Sequence, residues 1–391
     1  MTQMAKGWKI KKLGEVCDKG SSNVSQNQLA SEEGKYPIYG ASGFIKDVSF
    51  YHNDKPYLSI VKDGSGVGRI TKMEAKTSVI GTLQYIFPKD GIDLHYLYYA
   101  MQLIDFKKYV AGAAIPHIYF KDYRNEPFLY VPLEEQHHIV SILDKCFSAI
   151  DKAKANTEQN LKNAKELFDC VLDGILYDKK WGIKRLGDVC ENVEYGTSSK
   201  AQSQGLLPVL RMGNIQNRRF VWDSLVYSDN EEDNRQYLLK YNDVLFNRTN
   251  SLELVGKTAI YKGERPAIFA GYLIRIHRKE ELLDADYLNY YLNSKMAFEY
   301  GKTVVISSVN QANINGTKLK TYPIPIPPLK DQQTIVHQLD ALRIETQKLE
   351  ITYKKKIKDL EELKKSILQL ALSGVEGKAF AGELTEKKIT A

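Results

Sequence analysis

This chain contains one sequence twice. Trp8-Lys9-Ile10-Lys11-Lys12-Leu13-Gly14-Glu15-Val16-Cys17 returns as Trp181-Gly182-Ile183-Lys184-Arg185-Leu186-Gly187-Asp188-Val189-Cys190. Much later, Val131-Pro132-Leu133-Glu134-Glu135-Gln136-His137-His138-Ile139-Val140 returns as Pro327-Pro328-Leu329-Lys330-Asp331-Gln332-Gln333-Thr334-Ile335-Val336. A duplicated unit in one chain predicts an internal pseudo-twofold and suits a target that is itself two-part.

The register of the repeat separates two kinds of segment. The first pair is offset by 181 − 8 = 173 residues and the second by 332 − 136 = 196. Weaker matches, Val67-Gly68-Arg69 with Val255-Gly256-Lys257 and Tyr96-Leu97 with Tyr287-Leu288, place most of the growth between Cys190 and Val255. From Val131 through Leu176 the offset stays constant. Insertions collect in loops, whereas constant register marks a packed regular element. The expected organisation is a globular unit at 1–130, a helix at 131–177, a second globular unit at 178–326, a second helix at 327–373 and a tail at 374–391.

The constant stretches read as long helices. An apolar seam at spacings of three and four runs through Ile139, Leu143, Cys146, Ile150, Ala153, Thr157, Asn160, Ala164, Leu167 and Val171. The second copy gives Ile335, Leu339, Leu342, Thr346, Leu349, Tyr353, Lys356, Leu360, Leu363, Ile367 and Leu370. A heptad seam of this length argues for a coiled coil, with polar members such as Thr157, Asn160, Thr346 and Lys356 fixing register. Pro132 and Pro328 stand at the entries, with Glu134, Glu135 and Asp331 in the first turns, where the helix dipole favours acid. At 1.5 Å per residue each helix spans about 65 Å. Because the first helix leaves unit one and arrives at unit two, and the second leaves unit two, the pseudo-twofold requires an antiparallel pair. The alternative has each helix packed on its own unit.

The variable stretches carry short β-type runs such as Tyr57-Leu58-Ser59-Ile60-Val61 and Tyr272-Leu273-Ile274-Arg275-Ile276, punctuated by Gly, Asn, Ser and Asp. Short helical segments are expected at 94–103 and 285–292. The fold class is therefore mixed α/β (α+β): two globular units with mostly antiparallel sheets, separated by two long antiparallel coiled-coil helices.

The loops hold the polar chemistry. In unit one a glycine-rich hairpin places Ser65 between Lys62 and Arg69, and His117 lies in Ala114-Ile115-Pro116-His117-Ile118. In unit two the matching regions carry Arg248, Asn250 and Lys257, and Gln311 and Asn313; upstream stand Arg211, Asn214, Arg218 and Arg219. Arg reads guanine, and Asn or Gln reads adenine, each good bidentate pair giving about 1–3 kcal/mol of discrimination. Lys and Arg also meet phosphates, which supplies affinity without sequence information. Plainer readings exist: Gly64–Gly68 as an ordinary turn, Arg248 as an ion-pair partner of Glu253, His117 as a loop histidine.

The net charge of +7 fits an anionic partner. Four cysteines without CxxC spacing, at 17, 146, 170 and 190, read as reduced and mostly buried in a cytoplasmic protein. Met1 to Leu13 holds no apolar run of a signal peptide, and no stretch has the length of a membrane span. The sequence lacks a P-loop, a Rossmann fingerprint, an Asn/Asp-Pro-Pro-Tyr/Phe tetrapeptide, a nuclease constellation and zinc-ligand spacing.

Two variable α/β units alternating with two constant-register helices resemble the specificity subunit of type I restriction–modification systems. The Trp8 and Trp181 starts and the Pro-Leu-x-x-Gln-x-x-Ile-Val helix entries carry the resemblance. So do Tyr36-Pro37-Ile38-Tyr39-Gly40-Ala41-Ser42-Gly43, Leu210-Arg211-Met212-Gly213-Asn214-Ile215 and Phe380-Ala381-Gly382-Glu383-Leu384. A departure is Ile115-Pro116-His117-Ile118, where the family often has a Gln-x-Asn-like stretch, as unit two does at Gln311 and Asn313. The resemblance implies a non-catalytic subunit that binds double-stranded DNA, each unit reading one half of an interrupted sequence. Its implied partners are two methyltransferase subunits, which methylate adenine N6, and restriction subunits in the full complex. S-adenosylmethionine, ATP and Mg are expected on those partners and no cofactor on this chain. The rival reading is an architectural scaffold joining two protein partners through its coiled coil.

Overall fold

The structure, a computed structural model, describes residues 7–112, 114–178, 180–308 and 311–372. The Phe380–Leu384 phrase and the tail from 374 lie outside the described residues. The chain divides into two compact units, residues 1–157 with 355–391 and residues 158–354.

In the first unit, alternating and fully buried apolar runs build a four-stranded antiparallel sheet. Tyr57–Val61 lies between Leu83–Pro88 and Ile70–Met73, and Cys17–Ser21 pairs with the outer side of Leu83–Pro88. Tyr57–Val61 is buried at every position, as expected for a strand covered on both faces. A second small sheet joins Tyr36–Gly40 to Gly43–Val48 and, in parallel, to Ser78–Val79. The helix Leu94–Met101 packs on the larger sheet. The second unit repeats this plan. Val244–Asn247 lies between Leu273–Arg278 and Thr258–Ile260, with Cys190–Tyr195 outermost, and the helix Ala285–Leu292 packs on it. It adds the helix Lys295–Val304.

The repeated starts of the sequence close each unit. Lys9–Lys12 pairs with Pro127–Tyr130, and Ile183–Arg185 pairs with Pro323–Pro325. The backbone amides of Gly14 and Gly187 then bond the carbonyls of Arg124 and Lys320 at 2.9 Å each. A Cβ at Gly14 would lie 3.1 Å from the Arg124 side chain, and one at Gly187 3.2 Å from Lys320. That close approach accounts for a glycine in both copies.

The long helices span Leu133–Leu176 and Leu329–Leu372. In the first unit they run antiparallel: Lys154 pairs with Glu361 at 2.6 Å, and Asp151 with Lys364 at 2.7 Å. There Ile139, Leu143, Phe147 and Ile150 share one core with Leu368, Ala371 and Leu372, with Leu360 and Ile367 packed against it. The same core contains Leu58, Ile60 and Tyr96, so the seam buries against the globular part as well as the other helix. In the second unit Phe168, Leu172 and Leu176 share a core with Ile335, Val336 and Leu339, flanked by Leu342.

The strict heptad misplaces five apolar seam residues. Leu167, Val171, Leu349, Leu363 and Leu370 are exposed, and the neighbours Phe168, Leu172 and Ala371 take buried positions. A straight α-helix repeats every 3.6 residues and drifts about 20° per heptad from a 3.5 repeat. By Leu167 that drift amounts to one residue, whereas Ala164 is still buried. Thr157 and Thr346 are buried, each hydroxyl donating to its own helix, at Ala153 O and Arg343 O. Asn160 and Lys356 face outward. Leu143→Ala is therefore expected to cost about 2–5 kcal/mol, whereas Leu363→Ala should stay within about 0.5 kcal/mol. Urea unfolding midpoints of the two variants check this.

Cys17 and Cys190 are buried, Cys146 is half-buried and Cys170 is exposed, so only two of the four follow the expected burial. Burial pushes the Cys17 thiol up to about 12.

Candidate nucleic-acid interface

The same backbone device recurs in both units where the sequence places its polar loops. In the first unit the central strand ends at Val61, and the chain loops out through Lys62 to Arg69. Val61 N bonds Arg69 O and Gly68 N bonds Val61 O, both at 2.9 Å. In the second, Asn247 N bonds Lys257 O and Gly256 N bonds Asn247 O, both at 2.8 Å. Gly68 and Gly256 both have positive φ, +87° and +93°, which a residue with Cβ adopts only at a cost.

Each loop is tied to the segment that leads toward its long helix. Ile118 N donates to Lys62 O at 2.9 Å, and Ile314 N to Arg248 O at 2.8 Å. Asp63 bridges His117, as Thr249 pairs with Asn313. His117 thus occupies the place of Asn313, as their spacing in the sequence predicts.

The side chains differ between the units. In the first, Lys62 pairs with Asp63 at 2.5 Å, which offsets its charge. Ser65 and Arg69 are exposed, and Arg69 donates to Ala41 O. The His117 ring packs edge-on to the exposed Tyr119, 4.9 Å between centroids, and Lys121 Nζ lies 5.2 Å from the Tyr119 centroid. In the second unit Arg248 lies over Tyr195 at 4.8 Å and donates to Gly271 O at 3.3 Å instead of pairing with Glu253. Asn313 Nδ2 donates to Thr249 Oγ1 at 2.7 Å, which orients its amide. Asn250 Oδ1 accepts from Ser251 N at 2.9 Å, and Gln311 is exposed beside it on the strand Gln311–Asn313. Tyr195 and Tyr272 are half-exposed. The sequence reading missed Tyr119, Tyr195 and Tyr272, because nothing in a run of tyrosines marks which ones reach the surface.

Other expected residues go elsewhere. Asn214 is buried, and its amide is spent on Arg211 N, Val221 O and Asp223 O, so it holds its loop together. Arg211 and Arg219 are exposed, and Arg211 donates to Ser224 O. Arg218 and Lys257 face the long helices, lining a cleft of about 850 Å³ with Asp169, Lys295 and Glu350. Arg218 sits at φ +65° in the tight turn between Ile215–Gln216 and Arg219–Phe220, ion-paired to Asp169 and stacked on Phe168 at 4.6 Å. Among the described residues no group of three or more His, Cys, Asp or Glu is placed to hold a metal ion, and no helix is long and apolar enough to cross a membrane.

Residues 5–163 and 178–359 match the family described as Type I restriction modification DNA specificity domain. The chain belongs to this family. A Methanocaldococcus jannaschii protein named as the type I restriction enzyme MjaX specificity subunit is 31% identical over 53% of this chain and 50% of its own length. The Escherichia coli type I restriction enzyme EcoKI specificity subunit is 27% identical over 65% of this chain and 57% of its own. The matched region thus spans about half the length of these curated relatives. A chain from a solved structure, described as the structural basis of complex assembly and conformational transition of the type I R-M system, shares the fold. Its TM-score is 0.71 at 18% identity, covering 94% of this chain and 98% of that one.

Proposed function

We propose that this chain is the DNA-recognition subunit of a type I restriction–modification system. Residues 1–130 and 178–326 act as target-recognition domains, each reading one half of an interrupted sequence. The helices at 131–177 and 327–373 set the number of unread base pairs between the halves. Membership of the specificity family supports this reading, and one observation carries it: the same backbone-tied loop, at Lys62–Arg69 and at Arg248–Lys257, is built twice.

Arg248, Asn250, Gln311 and Asn313 are the base-reading candidates of the second domain; Arg69, Ser65 and His117 are those of the first. Arg211 and Arg219 suit phosphates, whereas Lys62 is held by Asp63. Tyr195 and Tyr119 are the faces against which Arg248 and His117 are held. The chain contributes recognition and no bond-making. Adenine-N6 methylation and DNA cleavage fall to methyltransferase and restriction subunits, which carry S-adenosylmethionine, ATP and Mg.

A salt titration of DNA binding by the chain with its methyltransferase subunit tests the reading. Affinity should fall about 10³-fold or more between 50 and 200 mM salt, as phosphate contacts require. A salt-independent affinity would point to a scaffold without DNA contact.

A further inference from the structure

One set of hydrogen bonds, absent from any reading of the loops, occurs twice with the register of the repeat on both sides. Gln136, fully buried three residues into the first long helix, accepts from Asp93 N at 2.8 Å and donates to Gly91 O at 2.9 Å and Val131 O at 2.8 Å. Gln332, equally buried, accepts from Asp284 N at 2.9 Å and donates to Leu282 O at 2.8 Å and Pro327 O at 2.9 Å. The short helix that Asp93 or Asp284 caps returns two tyrosine hydroxyls. Tyr96 donates to Leu129 O and Tyr99 to Asp144; Tyr287 donates to Pro325 O and Tyr290 to Asp340. The residues on the short-helix side recur at 284 − 93 = 191, and those on the long-helix side at 332 − 136 = 196. The bonds survive although the register between their partners has slipped by five residues.

A buried amide with every polar atom satisfied is directional in a way that apolar packing is not. Gln136 with Asp93 and Gly91, and Tyr99 with Asp144, join the globular part of the first unit to its long helix. Gln332 and Tyr290 do the same in the second, while Tyr96 and Tyr287 tie the short helix to the strand before the long one. Two rows of contact with the long helix, at the Asp and at the second Tyr, lie about two turns apart along the short helix and fix its angle to the long one.

We infer that Gln136 with Tyr99, and Gln332 with Tyr290, are positioning residues that fix the angle of each reading domain on its helix and thereby the number of base pairs between the half-sites. This rests on the proposed reading of bipartite DNA. One base pair is about 3.4 Å of duplex, and a tilt of about 6° over an arm of ~30 Å, some 20 helical residues, moves a domain by that amount. None of these residues stands in the loops that meet bases, so the bases read should not change.

The test maps methylated adenines by single-molecule sequencing in cells expressing the chain with its methyltransferase subunit. Gln332→Leu and Tyr290→Phe are each compared with the parent. The expected result is methylation at the parental spacing and also at spacings one base pair longer or shorter, with both half-site sequences unchanged. Tyr290→Phe removes one oxygen and carries the test if Gln332→Leu does not accumulate. Methylation confined to the parental spacing, at whatever level, or lost altogether in Tyr290→Phe, overturns the inference and leaves these residues a structural role. Failure of the parent itself to methylate a two-part sequence would instead overturn the underlying reading.

Discussion

Exchanging residues 191–326 for the matching stretch of another family member is expected to replace one half of the methylated sequence completely and leave the other half and the spacing as they were. Each unit has its own core: Leu58, Ile60, Ile86 and Tyr96 in one, Val244, Phe246, Ile274 and Tyr287 in the other. The exchanged stretch ends before Gln332, Asp340 and the long helix, so a grafted domain that keeps the Asp-x-x-Tyr-x-x-Tyr helix meets the same partners. On the proposed reading the bases meet side chains on the loops, and each wrong base typically costs about 1–3 kcal/mol. Mapping of methylated adenines before and after the exchange checks it. A change in both halves would mean that neither unit reads alone.

The second large effect is on stability. Arg275, buried on the strand Leu273–Arg278, donates to Glu194 at 2.9 and 2.6 Å, to Asp243 at 3.0 Å and to Leu238 O at 2.9 Å. It ties an outer strand to the central one. Arg275→Met leaves two carboxylates near each other without their cation, and removing one partner of a buried pair costs about 3–5 kcal/mol. Burial raises the Glu194 carboxyl, but the donors Arg275 and His277 outweigh it and hold the group below its ordinary value. A depressed carboxylate contributes stability that is present above its unfolded pKa and lost as pH falls through the folded one. The parent should therefore weaken in acid. In Arg275→Met the Glu194 carboxylate has lost the Arg275 donors, so its protonation relieves the variant and the gap between parent and variant should narrow below about pH 4. Urea midpoints at pH 7 and pH 4 check both the size and the sign. An equal gap at both would show that the ion pairs contribute nothing beyond packing.

Much of this architecture was legible because duplication writes it twice. The Trp8 and Trp181 starts became equivalent closing strands, and the constant offset from Val131 became two helices of equal length. The alignment of His117 with Asn313 held because both sit on the same backbone bridge. What failed was geometric. A seam written at 3.5 residues per turn loses its face over a helix this long, which is why Leu167 and Leu363 emerged exposed. Residue type also carries no direction. Asn214 looked like a base reader and is turned inward, while Arg218, from the same loop, faces the long helices. Gln136 and Gln332 were visible as letters of a motif. Their partners at Gly91 and Leu282, some fifty residues away, were not, because no local pattern announces a long-range amide bond.

The central claim is that two equivalent units read two separate half-sites. Single-molecule sequencing of methylated adenines, in cells expressing this chain with its methyltransferase subunit, tests it most directly. The account predicts one two-part motif with a gap of constant length and a methylated adenine in each half. A single uninterrupted motif, or two halves at random separations, would contradict it.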